Sequence, residues 1–172
     1  MSYGIGEIVT KGASVMLGYY QNQEATEEVL KDGWFYTGDL GYFDKDGFLI
    51  ITGRKKNVIV LKNGKNVYPE ELETLINKSD IVKESFIYGK NERDEIKICA
   101  KIVYDMDIIV QKHTEIDRDG IHNLIWQEIK EINKLMPTYK YIKEIIITQE
   151  ELIKTTTQKI KRHEELAKMH IS

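Results

Sequence analysis

The chain has 172 residues, 41% of them hydrophobic and 31% charged, a balance that supplies a core and excludes wholesale disorder. Its net charge of −3 provides no global field favouring nucleic acid or an anionic membrane surface. No apolar run approaches the roughly 18 residues of a membrane span, and the first four residues lack a charged-then-apolar leader pattern. The single cysteine, Cys99, permits no internal disulfide. The expectation is a soluble, cytoplasmic protein.

In chain order, Glu7-Ile8-Val9-Thr10 and Val15-Met16-Leu17 read as short strands, punctuated by Gly4, Gly6, Gly12 and Gly18. A short helix is predicted from Gln23 to Leu30. The aromatic, extended run from Trp34 to Leu40 follows, and then a hairpin turning at Lys45-Asp46-Gly47, because Asp-Gly readily takes up positive φ. At Gly53-Arg54-Lys55-Lys56 the character changes. Three adjacent cations cannot continue a buried strand, so a surface connection is expected there.

A second hairpin is predicted over Val58 to Tyr68, turning at Lys62-Asn63-Gly64-Lys65. Pro69 opens a helix at its first turn, where the missing N–H costs nothing. Glu70, Glu71 and Glu73 are read as charges complementing that helix's N-terminal dipole. Two strands follow, Val82 to Tyr88 and Ile96 to Val103, around a polar turn at Lys90 to Asp94. The longest helix is capped by Asp117 or Asp119, carries Ile121, Leu124, Ile125, Ile129 and Ile132 on one stripe, and ends at Pro137. A strand over Ile145 to Thr148, a polar Thr155-Thr156-Thr157-Gln158 loop and a helix from Ile160 to Met169 complete the chain. The fold class is α+β: a β-rich first segment, then a β-hairpin and a small sheet flanked by helices.

Cys99 lies in an alternating strand with no local cation to activate it, and reads as a packed thiol. His113, His122, His163 and His170 show no metal-ligand spacing.

Several stretches acquire meaning from their order. Gly6-Glu7-Ile8-Val9 with Gly12, Val15 and Gly18-Tyr19-Tyr20, and then Gly33-Trp34-Phe35-Tyr36-Thr37-Gly38-Asp39-Leu40-Gly41, come first. Gly53 to Ile59 and Asn63 to Glu73 follow, then Met136-Pro137-Thr138-Tyr139, and finally Lys154 to Arg162. In this sequence they resemble the ordered motifs of the adenylate-forming, AMP-binding enzymes, most closely the long-chain fatty acid CoA ligases. The resemblance runs from about Gly4 to Arg162. It implies that residues 1–53 are the end of a large AMP-binding domain and residues 54–172 its mobile C-terminal small domain. The large domain's Ser/Thr/Gly-rich phosphate loop is missing. Thr155-Thr156-Thr157 lacks the glycines that would let backbone N–H groups surround a phosphate. The chain is therefore expected to be a fragment, inactive alone, that works with the missing N-terminal domain.

The resemblance also implies roles. Such an enzyme joins a carboxylate, here a long-chain fatty acid, to ATP as an acyl-adenylate and then passes the acyl group to CoA. ATP, AMP, CoA and Mg2+ would be bound mainly through the absent domain. Lys159 takes the position of the catalytic lysine, a compact cation on a flexible stem suited to bridging two anionic reactants. Asp39 corresponds to the carboxylate that grips the ribose hydroxyls, and Arg54 to an arginine on the same nucleotide. Lys56 falls at the hinge, and Asn63, Gly64 and Lys65 at the CoA channel, where a glycine lets the pantetheine arm pass close to backbone. Two departures stand out. Gln158 replaces the glycine usual before the lysine, and Asn63 replaces the first of two glycines at the channel.

The nearest competing reading is a fragment of an amino-acid-activating adenylation domain. A non-catalytic module binding nucleic acid through Arg54-Lys55-Lys56 and Lys159 to Arg162 is a third, and the net negative charge argues against it.

Overall fold

The computed structural model describes residues 4–93, 95–113 and 115–170 and divides the chain into two compact units, Met1–Val58 and Ile59–Ser172. In the first unit β1 (Gly6–Thr10), α1 (Gln23–Val29), β2 (Leu30–Lys31), β3 (Trp34–Phe43) and β4 (Leu49–Arg54) succeed one another. The long β3 organises them. It pairs antiparallel with β1, with β2 through Leu30–Phe35 and Lys31–Trp34, and with β4 from Asp39–Arg54 to Phe43–Leu49. The β3–β4 turn forms where the sequence predicts it, with the Asp44 carboxylate accepting the N–H groups of Asp46 and Phe48. Gly41 is required by contact, because a Cβ there would come within 2.6 Å of the Ile50 carbonyl oxygen. Val15-Met16-Leu17 does not form the expected strand. The run sits in turns and bends, with Leu17 fully exposed and without a neighbouring strand to pair it.

In the second unit a two-stranded ladder, β5 (Ile59–Val60) and β6 (Asn66–Val67), leads into α2 (Pro69–Ile76), opened by Pro69 as predicted. A three-stranded sheet follows, in the order β7 (Val82–Glu92), β8 (Glu95–Tyr104) and β9 (Ile142–Thr148). β7 and β8 pair antiparallel and β8 and β9 parallel. The hairpin is longer than the sequence suggests. Lys90, Asn91 and Glu92 stay in the ladder, and the reversal is confined to the segment around Arg93, which has φ of 43°. Between β8 and β9 stand α3 (Met106–Lys112), absent from the sequence reading, and α4 (Arg118–Lys134), capped by Asp117. The last helix, α5, spans Arg162–Lys168, starting two residues later than expected.

The central strand β8 is buried on both faces, and its alternation sorts the core. Ile98, Ala100 and Ile102 join Leu72 and Ile76 of α2, Ile109 of α3, and Ile121, Ile125 and Ile129 of α4 in one cluster. Cys99 and Val103 join Phe86, Tyr88 and Leu152 in a second, against which Ile160 and Leu166 pack. Helices therefore cover both faces, with α5 and the segment preceding it on the second. Cys99 is fully buried, and burial pushes its thiol up to about 11, so it is the inert strand cysteine expected.

Candidate functional site

The sequence-predicted residues fall into three places. In the first unit Asp39 and Arg54 meet as register partners on β3 and β4. Arg54 Nε lies 2.8 Å from Asp39 Oδ1, and both side chains remain partly exposed. Local structure fixes this pair. Thr37 Oγ1 donates to the Ile8 carbonyl and accepts the Asp39 N–H, while the Gly38 N–H donates to Glu7. Gly38 has φ of 72°, turning the strand so that Asp39 sits opposite Arg54. Beyond Arg54 the chain enters a single 3₁₀ turn, Lys55–Asn57. There Lys55 pairs with Glu7 at 2.8 Å and Lys56 is exposed.

The second place is the β5–β6 turn. Leu61 N–H donates to the Lys65 carbonyl and Gly64 N–H to the Leu61 carbonyl, both at 2.9 Å. Gly64 has φ of 76°, a left-handed position that costs glycine little. Asn63 is not among the residues with positive φ, and its Oδ1 accepts the Lys65 N–H at 3.0 Å. The turn thus uses asparagine to cap itself where a second glycine is usual. Lys65 Nζ lies 4.4 Å from the centroid of the Tyr139 ring, within cation–π range. A groove of about 250 Å³ opens alongside, bordered by Leu61, Lys62, Asn63, Thr138, Tyr139 and Lys143. Another of similar size, between Arg118, His122 and the β9 residues Ile145, Ile146 and Ile147, contains none of the predicted site residues.

The third place is the loop bearing Lys159. Lys154 and Ile160 form an isolated antiparallel bridge, closing a tight excursion over Thr155 to Lys159. Inside it Thr155 N–H donates to the Lys159 carbonyl at 2.8 Å, Gln158 N–H to the Thr155 carbonyl at 3.0 Å, and Lys159 N–H to Thr155 Oγ1 at 3.1 Å. Gln158 takes φ of 62°, the left-handed conformation a glycine would adopt freely. The loop holds its shape with glutamine and presents Lys159 exposed. Its Nζ has no hydrogen bond or ion pair among the described residues.

Sequence reasoning missed how this loop is anchored. Lys154 pairs with Glu84 of β7, which also accepts the Leu152 N–H. On α5, Glu165 is wholly buried, accepts the Ile153 N–H at 2.7 Å and pairs with the buried Lys101 at 2.9 Å. Glu73, read from the sequence as a helix-start charge, is instead buried. It accepts the Ile87 N–H at 2.8 Å and a hydrogen bond from Arg162 at 2.6 Å. Burial pushes its carboxyl above the usual range, against the opposing pull of the Arg162 charge and the Ile87 N–H. The charged partners lie 64 to 89 positions apart, so local periodicity carries no signal for this anchoring.

Residues 56–170 match the family model of the AMP-binding enzyme C-terminal domain. A 2-succinylbenzoate–CoA ligase of Listeria monocytogenes is 38% identical over 158 residues, covering 92% of this chain and 30% of the relative. A long-chain-fatty-acid–CoA ligase of Mycobacterium tuberculosis is 48% identical over 84 residues, 49% of this chain and 14% of that one. Among solved structures, the o-succinylbenzoate CoA synthetase of Bacillus subtilis, in complex with the acyl-adenylate intermediate OSB-AMP, is similar with a TM-score of 0.76. Its identity is 26%, over 95% of this chain and 30% of that one. The chain spans about 30% of the length of these two succinylbenzoate-activating relatives.

Proposed function

This chain belongs to the AMP-binding enzyme C-terminal domain family, and from that premise we propose that it is the C-terminal part of an AMP-forming acid–thiol ligase. In this reading residues 54–172 are the mobile small domain and residues 1–53 the last strands of a large nucleotide-binding domain. The observation that carries it is the Lys159 loop: a hydrogen-bonded excursion, rooted on a buried scaffold, that delivers one exposed ammonium without a partner among the described residues. An unneutralised cation on a braced loop suits a reaction whose first half brings a carboxylate against the α-phosphate of ATP. There it offsets charge that the two anions cannot share.

Asp39 supplies carboxylate oxygens for the ribose hydroxyls of ATP and then AMP. Arg54, held on Asp39, orients that carboxylate and faces the same nucleotide. Lys56, exposed in its 3₁₀ turn, is the hinge about which the small domain exchanges one working face for another. The Asn63-Gly64-Lys65 turn serves the second half, where Gly64 leaves room for the pantetheine arm as the CoA thiol displaces AMP. Among the described residues no group of three or more His, Cys, Asp or Glu is placed to hold a metal. The Mg2+ accompanying ATP belongs, in this reading, to the large domain. The finer assignment, a long-chain fatty acid as the carboxylate, is supported by the 48% identity to the mycobacterial fatty acid ligase over 84 residues. The longer similarity to succinylbenzoate ligases supports an aromatic acid as the alternative substrate in this reading.

The decisive experiment replaces Lys159 in the full-length polypeptide that carries this chain. Lys159→Ala abolishes acyl-adenylate formation, followed as pyrophosphate release with palmitate and with 2-succinylbenzoate in parallel. The same variant still converts a supplied acyl-adenylate to the CoA thioester. If both halves fall together, or neither changes, Lys159 does not have this role.

A further inference from the structure

Ile87 lies on β7, and β7 is an edge strand of its sheet. Its N–H donates to Glu73 Oε1 at 2.8 Å and its carbonyl accepts from Arg162 Nη1 at 3.2 Å. Arg162 Nη2 in turn lies 2.6 Å from Glu73 Oε2. The three residues close a ring in which two side chains take the place of a fourth strand at one position of the edge. Arg162 is further fixed from below, its guanidinium carbon 5.3 Å from the centroid of the Phe86 ring, and Glu70 stands at 3.5 Å on the same Nη2. The ring joins α2, β7 and the first residue of α5, and Arg162 is three residues after Lys159. Arginine fits this place because a planar fork can reach the Ile87 carbonyl and the Glu73 carboxylate at once, which an ammonium cannot do with the same geometry.

The opposite stem of the loop is tied to the same strand, through Lys154 on Glu84. Both ends of the excursion are thus referenced to β7, three residues apart, while the tip bearing Lys159 is exposed. Free ammonium and rigid base are the two properties a positioned electrostatic catalyst requires, and only the base is built from buried contacts. Glu73 sits on α2, which β6 separates from the Asn63-Gly64-Lys65 turn.

We propose that the Glu73–Arg162 pair, closed on the Ile87 edge, is a positioning device that sets the Lys159 loop for adenylate formation, a claim that rests on the role proposed above for Lys159. Neither residue touches substrate in this scheme. Displacing a reacting group by about 1 Å costs on the order of 10²-fold in rate. Arg162→Gln, which removes the fork, is therefore expected to slow the adenylation half by roughly that factor. It leaves conversion of supplied acyl-adenylate to thioester within about twofold of the parent. Arg162→Lys, which keeps the charge and one of the bonds, recovers part of the loss. In the double variant with Glu73→Gln the two effects are not additive, as for partners in one ring.

Amide exchange on the 172-residue chain reads the geometry independently of activity. Arg162→Gln speeds exchange at least about tenfold at Thr155, Gln158 and Lys161, and leaves Ala100 and Ile102 of the central strand unchanged. Faster exchange throughout, or equal loss in both half-reactions, would mean general destabilisation and overturns the proposal. Lys159→Ala measured alongside separates the two claims. If it abolishes adenylation and Arg162→Gln does not impair it, positioning by the ring is wrong and the role of Lys159 stands. If Lys159→Ala leaves adenylation intact, both fall.

Discussion

Gln158 has φ of 62°, a region where a side chain costs an L residue about 1–2 kcal/mol. The residue is exposed, so its side chain recovers nothing by burial, and its N–H bond to the Thr155 carbonyl holds the turn closed. Glycine would remove the steric cost but add roughly 0.5–1 kcal/mol of unfolded-state entropy, so the two terms nearly cancel. Gln158→Gly should therefore shift the stability of the chain by less than about 1 kcal/mol in urea unfolding. Gln158→Val places a β-branched residue at positive φ and should lose about 1–2 kcal/mol or open the loop. Equal loss from both would show that the glutamine side chain, not the backbone conformation, stabilises the turn. The Gln158 N–H bond to the Thr155 carbonyl thus closes the turn with glutamine at a positive-φ position. The departure at Asn63 is of another kind, because that position does not need positive φ and the amide side chain caps the turn itself.

At the scale of elements, what could be read in the sequence was what repeats locally. The stripe of Ile121, Ile125 and Ile129 spells out α4, and all three are buried against the sheet. Pro69 marks the start of α2 and Asp-Gly the β3–β4 turn, each through a backbone preference of one or two residues. Seven-residue α3 is too short to show a period, and only Ile109 of it is fully buried. The anchoring of the Lys159 loop was not legible, since Arg162 and Glu73 stand 89 positions apart and no window along the chain contains both. The same is true of β9, whose parallel place beside β8 is set from outside the strand. Asn133, buried near the end of α4, donates to the Ile142 carbonyl at 3.0 Å and accepts the Ile142 N–H at 2.9 Å. Both backbone groups at the start of β9 are thus satisfied by one side chain. Asn133→Leu keeps the branched side-chain shape but strands an N–H and a carbonyl in the core, at a cost of about 2–4 kcal/mol. Urea midpoints would reveal it, and a loss below about 0.5 kcal/mol would mean that water or a shifted strand replaces the amide.

For the molecule as a whole, the distribution of burial between the two units matters more than the total. Every buried hydrophobic side chain among the described residues lies between Val67 and Leu152, in the second unit. Among the described residues the first unit has four strands, yet Phe43, Phe48 and Ile51 are 54%, 68% and 65% exposed, and the buried positions there are the glycines Gly41 and Gly53. A sheet of that size needs a packed apolar face to be stable by itself, and these strands have none within the unit. The exposed aromatic and aliphatic residues are what remains of such a face if a large domain normally covers it, as the proposed function requires. The second unit, with a sheet covered on both sides, carries its own core. Residues 59–172 produced alone should therefore unfold in one cooperative transition, with stability in the range of about 5–15 kcal/mol usual for small domains. Residues 1–58 alone should show no transition and poor amide dispersion in NMR spectra. A cooperative transition from the isolated first segment would mean that its strands need no covering partner, and would remove the structural support for reading it as the edge of a larger domain.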